Sequence, residues 1–194
     1  MKILEPKYLI IAILTFTVSI AATAQDVYKL NEENSNLSVT GTSSLHDWEM
    51  EATGFSAETR LRLENDSISE IEYVKFSTPV TKLESGKNIM DNKAQDALRA
   101  KKFPQIKFTL EGDKSLAFSG KSTIDGQLTV AGRTREIEVP VRIDILSDRK
   151  FTARGNLALK MSDFGIEPPT AFFGTIKTDN EVKVKFDFEF TKSI

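Results

Sequence analysis

The chain has 194 residues, with no cysteine, one histidine, 26 basic against 28 acidic side chains, and 40% hydrophobic residues. That composition excludes disorder as the main state, and with it disulfide frameworks, thiolate chemistry and multi-histidine metal sites; without a basic excess it also excludes nucleic-acid binding. Packing alone must hold the fold together, and one histidine leaves little from which to build an enzyme.

Residues 1–24 read as a secretory signal peptide. Lys2 and Lys7 precede the apolar run Tyr8 to Ile20, and Ala22-Thr23-Ala24 supplies the small-x-small cleavage pattern. The run falls short of the roughly 20 apolar residues that a membrane anchor needs. The expected mature chain, residues 25–194, is therefore exported, either to the periplasm or by full secretion, and its size suits one domain.

Short apolar runs at Leu37 to Val39, Trp48 to Ala52 and Val74 to Phe76 read as strands. Between the first two, Ser44, His46 and Asp47 hint at a hydrolase. Strand neighbours such as His46 and Asp47 point to opposite faces, however, so the expectation for His46 is a turn hydrogen bond or a rim position rather than catalysis. The period of two then breaks. From Asn88, Met90, Ala94, Ala97 and Leu98 recur at helical spacing, which predicts a short amphipathic helix Asn88–Leu98 with Asn88 as N-cap and Asp91 in the first turn. Its apolar face reads either as a plug over one end of the fold or as the lid of a channel, with Phe103 beside the opening. Arg99, Lys101 and Lys102, directly after it, read either as solvated surface or as an attractor for anionic lipid head groups.

Beyond Pro104 alternation returns. Ile106, Phe108 and Leu110 form one apolar set, Leu128 and Val130 a second, and Ile137, Val139, Val141, Ile143 and Ile145 a third, with Pro140 on its polar side demanding an edge or a bulge. Phe151, Ala153, Gly155, Leu157 and Leu159 follow. Asp163-Phe164-Gly165 looks like a kinase signature but has neither a phosphate loop nor a catalytic loop beside it. Pro168-Pro169 and Phe172-Phe173-Gly174 make an apolar loop that either packs on the domain or dips into a membrane. Val182, Val184, Phe186, Phe188 and Phe190, set against charged neighbours, give the clearest strand of all. About eight half-apolar strands and one short helical insertion predict an all-β antiparallel fold, a sandwich or a barrel. Strands of about ten residues span about 33 Å, and such a tube is either filled by side chains or holds one ligand.

Four segments, in this order and spacing, resemble one family. They are Met90-Asp91 through the helix to Phe103-Pro104-Gln105-Ile106-Lys107-Phe108; Gly126-Gln127-Leu128-Thr129-Val130-Ala131-Gly132-Arg133-Thr134-Arg135; Leu159-Lys160-Met161-Ser162-Asp163-Phe164-Gly165-Ile166; and the closing strand from Glu181. The chain resembles the YceI-like lipid or polyisoprenoid-binding proteins. The resemblance implies a lipocalin-like antiparallel β-barrel of about eight strands, an apolar channel and a bound isoprenoid quinone, polyprenyl chain, or fatty amide or acid, with no required cofactor. Together with the strand pattern it nominates Val39, Trp48, Met50, Val74, Phe76, Met90, Ala94, Leu98, Phe103, Phe108, Leu128, Val130, Val139, Val141, Leu157, Leu159, Phe164, Phe186 and Phe188 as channel residues. Arg99, Lys101, Lys102, Phe172 and Phe173 are candidates for transient membrane contact. The expected function is that of an exported, non-enzymatic carrier of a long-chain lipid; the alternatives are a filled-core accessory protein and a His46-dependent hydrolase.

Overall fold

A computed structural model describes residues 26–64, 66–114, 120–171 and 173–193, so the expected signal peptide and Phe172 lie outside the described residues. From its start the chain forms β1 (Asp26–Leu30), β2 (Asn36–Ser43), β3 (Asp47–Ala52), β4 (Ser56–Glu64), β5 (Ser67–Pro79) and β6 (Leu83–Glu84), then the helix α1 (Asn88–Ala97). It continues through β7 (Gln105–Lys114), β8 (Gly120–Val130), β9 (Arg133–Ser147), β10 (Lys150–Lys160), β11 (Thr170–Ala171) and β12 (Ile176–Lys192).

Eight of these strands close an antiparallel barrel in the order β1, β4, β5, β7, β8, β9, β10, β12, with β12 pairing back onto β1. The seam is unusual in being shared. One edge of β12 pairs with β10 from Glu181 to Thr191; along the other, β2 takes the first part, with Val39 opposite Val184, and β1 takes the end, with Leu30 opposite Phe190. The chain steps from β1 to β2 through a single 3-10 turn, Glu32–Asn34. Glu189 of β12 clasps that step: its Oε1 accepts from Asn34 Nδ2 at 2.9 Å and Asn31 Nδ2 at 3.1 Å and faces Lys150 Nζ at 3.2 Å. The Asn34 hydrogen bond, with help from Lys150 and Asn31, holds its carboxyl below the usual carboxylate range.

Pro140 fits the ladder because β9 is one-sided there. The β9–β10 pairing ends at Val141 opposite Gly155, so the proline lies one residue past the last pair on that side, while Thr123 of β8 faces it on the other.

The helix forms where expected but begins differently. Lys87, not Asn88, is the N-cap residue, and it makes no side-chain capping bond. Asn88 is already helical because Asp91 organises the entry: its Oδ1 accepts from Ser85 N at 2.7 Å and Ser85 Oγ at 2.6 Å, tying the incoming loop to the first turn. At the other end Arg99 adopts a left-handed φ of 55° and its Nη2 donates to Ala131 O at 2.6 Å, fastening the helix to the β8–β9 turn.

Apolar side chains pack into two clusters at opposite ends of the barrel. The larger contains Tyr28, Leu61, Ile68, Ile71, Phe151 and Phe190, with Phe151 stacked on Phe190 at 4.9 Å and edge-on to Tyr28 at 5.3 Å. The smaller, under α1, contains Leu128, Val130, Ala131, Phe164 and Ile166, with Ala97 and Leu98 of the helix against it.

Candidate functional site

Inside, the barrel is hollow, and members of both clusters line the space. Along β12 the inward residues change from buried Phe190 and Phe188 to half-buried Phe186, Val184 and Val182, and along β10 from buried Phe151 and Ala153 to half-buried Leu157 and Leu159. A strand whose inward side chains retain accessible surface faces open space, because in a filled core the same positions close against one another. That space is a cavity of about 990 Å³, at the top of the range of about 300–1,000 Å³ usual for ligand pockets.

Eighteen of the nineteen nominated channel residues lie on its wall. Val39, Trp48 and Met50 come from β2 and β3, Val74 and Phe76 from β5, Phe108 from β7, and Leu128 and Val130 from β8. Val139 and Val141 come from β9, Leu157 and Leu159 from β10, Phe164 from the turn after it, Phe186 and Phe188 from β12, and Met90, Ala94 and Leu98 from the helix segment. Phe103 is the exception and corrects the expectation. Its ring lies on Gly132, where a Cβ would come within 2.3 Å, with the Arg99 guanidinium 5.1 Å from its centroid, so it is a wedge between the helix exit and the β8–β9 turn. Glycines also shape the lumen. A Cβ at Gly41 would come within 2.3 Å of the Trp48 ring, and one at Gly155 within 2.3 Å of Phe186. Both rings therefore lie flat over a cross-strand glycine instead of projecting across the tube.

The sequence reading did not assign Ala57, Thr59, Leu61, Ile68 and Ile71 to the wall, where the structure places them. Thr59 Oγ1 donates to Tyr73 O at 2.8 Å and Thr78 Oγ1 to Gly54 O at 2.8 Å, so these buried hydroxyls spend themselves on backbone. The Nε1 of Trp48 is buried, and among the described residues no acceptor meets it.

Polar lining gathers at the mouth: His46, Lys87, Asn88, Lys93, Lys160, Thr170 and Thr178. Its charged members are all lysines; no Asp or Glu is among the described lining residues. Three hydrogen bonds tie the mouth together. Ser44 N donates to Lys177 O at 2.9 Å, Lys177 N donates to Ser44 Oγ at 3.1 Å, and Lys93 Nζ donates to Thr170 O at 2.9 Å.

No relay joins Ser44, His46 and Asp47. Ser44 Oγ is the acceptor just described, Asp47 Oδ1 accepts from Thr42 Oγ1 at 2.8 Å, and His46 Nδ1 lies 2.7 Å from Asp47 O rather than from its carboxylate. A triad needs the base held by the acid and aimed at the nucleophile, and neither condition is met. The basic stretch after the helix is divided: Arg99 is committed to Ala131 O and Phe103, Lys102 Nζ lies 5.3 Å from the Phe103 centroid, and Lys101 is exposed. Phe164 is 3% exposed and belongs to the cluster under the helix, so Asp163-Phe164-Gly165 is a packed turn.

A family model described as a YceI-like domain matches residues 28–190. Among solved structures, BcnA of Burkholderia cenocepacia is 20% identical with a TM-score of 0.64, over 82% of this chain and 98% of that one. A polyisoprenoid-binding domain from Saccharophagus degradans, implicated in plant cell wall breakdown, is 14% identical with a TM-score of 0.62, over 86% and 98%. A Campylobacter jejuni YCEI protein is 19% identical with a TM-score of 0.57, over 73% and 82%. No curated protein sequence matches. At these identities the structures show the fold that the chain shares with them.

Proposed function

The chain belongs to the YceI-like family, and on that premise we propose that it is an exported, non-enzymatic carrier that holds one long apolar chain, an isoprenoid or fatty tail, inside the barrel. The observation that carries this reading is the cavity of about 990 Å³ walled by aliphatic and aromatic side chains from both clusters. Burial of each methylene contributes about 0.8 kcal/mol, so a tail of a dozen or so carbons binds tightly without a single polar contact. The relative from Saccharophagus degradans, described as polyisoprenoid-binding, supports the same class of ligand. A carbonyl or hydroxyl on the ligand would satisfy the buried Trp48 Nε1, since an unpaired buried donor costs about 1–3 kcal/mol. The signal-peptide pattern of residues 1–24 supports export, with the periplasm as the first compartment reached.

Trp48 is the only tryptophan in the chain and lies on the cavity wall, so its fluorescence reports occupancy directly. Titration of delipidated protein with geranylgeraniol or a fatty acid should change Trp48 emission saturably at one equivalent, and His46→Ala should leave that titration intact. Emission that never saturates, with chains that fail to compete with one another, would count against the carrier.

A further inference from the structure

We propose that the mouth of the barrel is a docking surface for the face of an anionic phospholipid bilayer, which lets the cavity load or unload without its ligand crossing water.

Among the described residues four large hydrophobic side chains are left exposed, and three are at this end. Leu45 is 64% exposed and Ile89 77% exposed, and both also line the cavity; Phe173 is fully exposed at the tip of the turn between β11 and β12, whose residues Ala171 and Ile176 line it too. Leu45 comes from the β2–β3 turn, Ile89 from the start of α1 and Phe173 from the β11–β12 turn. The bonds Ser44 to Lys177 and Lys93 to Thr170 hold these three elements together as one rim. Phe173 also sits at a φ of 54°, a region that bulky side chains avoid, so both its exposure and its backbone run against the ordinary preferences of the residue.

Charge names the occupant. Lys87, Lys93 and Lys177 are exposed around these side chains, no Asp or Glu is among the described residues that line the cavity, and Asp47 beside Leu45 is engaged by Thr42 Oγ1, on a chain whose formal net charge is −2. Basic side chains ringing apolar ones fit a surface that offers phosphate at one depth and hydrocarbon a few ångströms below, as interfacially bound segments do. A protein partner complementary to the lysines would have to be acidic and apolar at once around an open hole. The bilayer meets all three requirements.

Flotation with vesicles tests the surface. The wild-type protein should float with phosphatidylcholine vesicles containing phosphatidylglycerol and not with phosphatidylcholine alone, and added salt should weaken the binding. Lys87→Gln/Lys177→Gln should lower partitioning about 25-fold, about fivefold for each lysine near the membrane surface. Leu45→Ser/Ile89→Ser/Phe173→Ser should abolish flotation. Leu146→Ser, near the end of β9 at the far end of the barrel and 57% exposed, should change nothing. All these positions are exposed, so unchanged thermal midpoints are expected, and the two independent variant sets keep the test decisive if one of them folds poorly. Wild-type protein that ignores anionic vesicles, or equal binding by both rim variants, would overturn the proposal, as would a loss in Leu146→Ser as large as in the rim triple. Intact vesicle binding by a protein that never takes up an apolar chain would support the surface while sinking the carrier.

Discussion

Deleting the same three carbons at two inward positions should have unequal consequences, because one position closes on packed neighbours and the other on open space. Leu110 is 2% exposed in the larger cluster and is not among the cavity-lining residues. Truncation to Ala removes about 2.4 kcal/mol of transfer free energy at about 0.8 kcal/mol per methylene, and the void left behind brings the expected loss to about 3–4 kcal/mol. Leu157 is half-buried on the cavity wall. The space vacated there merges with a cavity that already exists, so the void term vanishes and only part of the transfer term is lost, about 1 kcal/mol in lipid-free protein. With a chain bound, Leu157→Ala should weaken its binding by a further ~1 kcal/mol, close to fivefold. Urea unfolding followed by circular dichroism, with and without lipid, measures both, provided that the m-value is unchanged. Equal losses at the two sites in lipid-free protein would mean a collapsed interior and would refute the hollow-barrel reasoning.

Ala94→Trp places a large ring on the helix face that borders the lumen, so it should cut the amount of copurified lipid severalfold while moving the unfolding midpoint little; equal loading with a large drop in midpoint would assign the helix to packing alone. Tyr28 is fully buried with its hydroxyl on Asp148 O, and burial, reinforced by Asp26 and Asp148, pushes its pKa from 10 up to about 12. Because the folded state holds the proton more tightly, this contribution is complete below pH 10 and should be lost as the pH rises toward 12, by about 2 kcal/mol, and Tyr28→Phe should flatten that part of the stability profile. Arg99→Ala should cost about 1 kcal/mol and raise hydrogen exchange at the end of α1, since it removes the bond to Ala131 O; unchanged exchange would detach the helix exit from the β8–β9 turn.

The strands that alternate cleanly were legible, and so was most of the wall. The order Ile137 to Ile145, Phe151 to Leu159 and Val182 to Phe190 reads directly onto β9, β10 and β12. What escaped has physical causes. β4 turns Ala57 and Thr59 inward, residues too small or too polar to register as an apolar face, although both are buried. Ile68 and Ile71 both face inward at an odd spacing because β5 shifts register near Ile71 against both of its neighbours. β1 is five residues long and carries charge at Asp26 and Lys29, and its pairing with β12 is a matter of closure that no local pattern encodes. From its place after the helix, Phe103 is expected beside the opening. Its actual place depends on Gly132, 29 residues on, whose missing Cβ leaves the ring somewhere to lie.

Native mass spectrometry of the protein purified without detergent tests most directly whether the hollow interior holds one apolar chain. A fraction of molecules should be heavier than the lipid-free chain by the mass of a single lipid. Organic extraction should release that lipid, and geranylgeraniol added to the emptied protein should restore a one-to-one adduct. Protein that carries no adduct at purification and gains none on addition, with its cavity intact, would contradict the account.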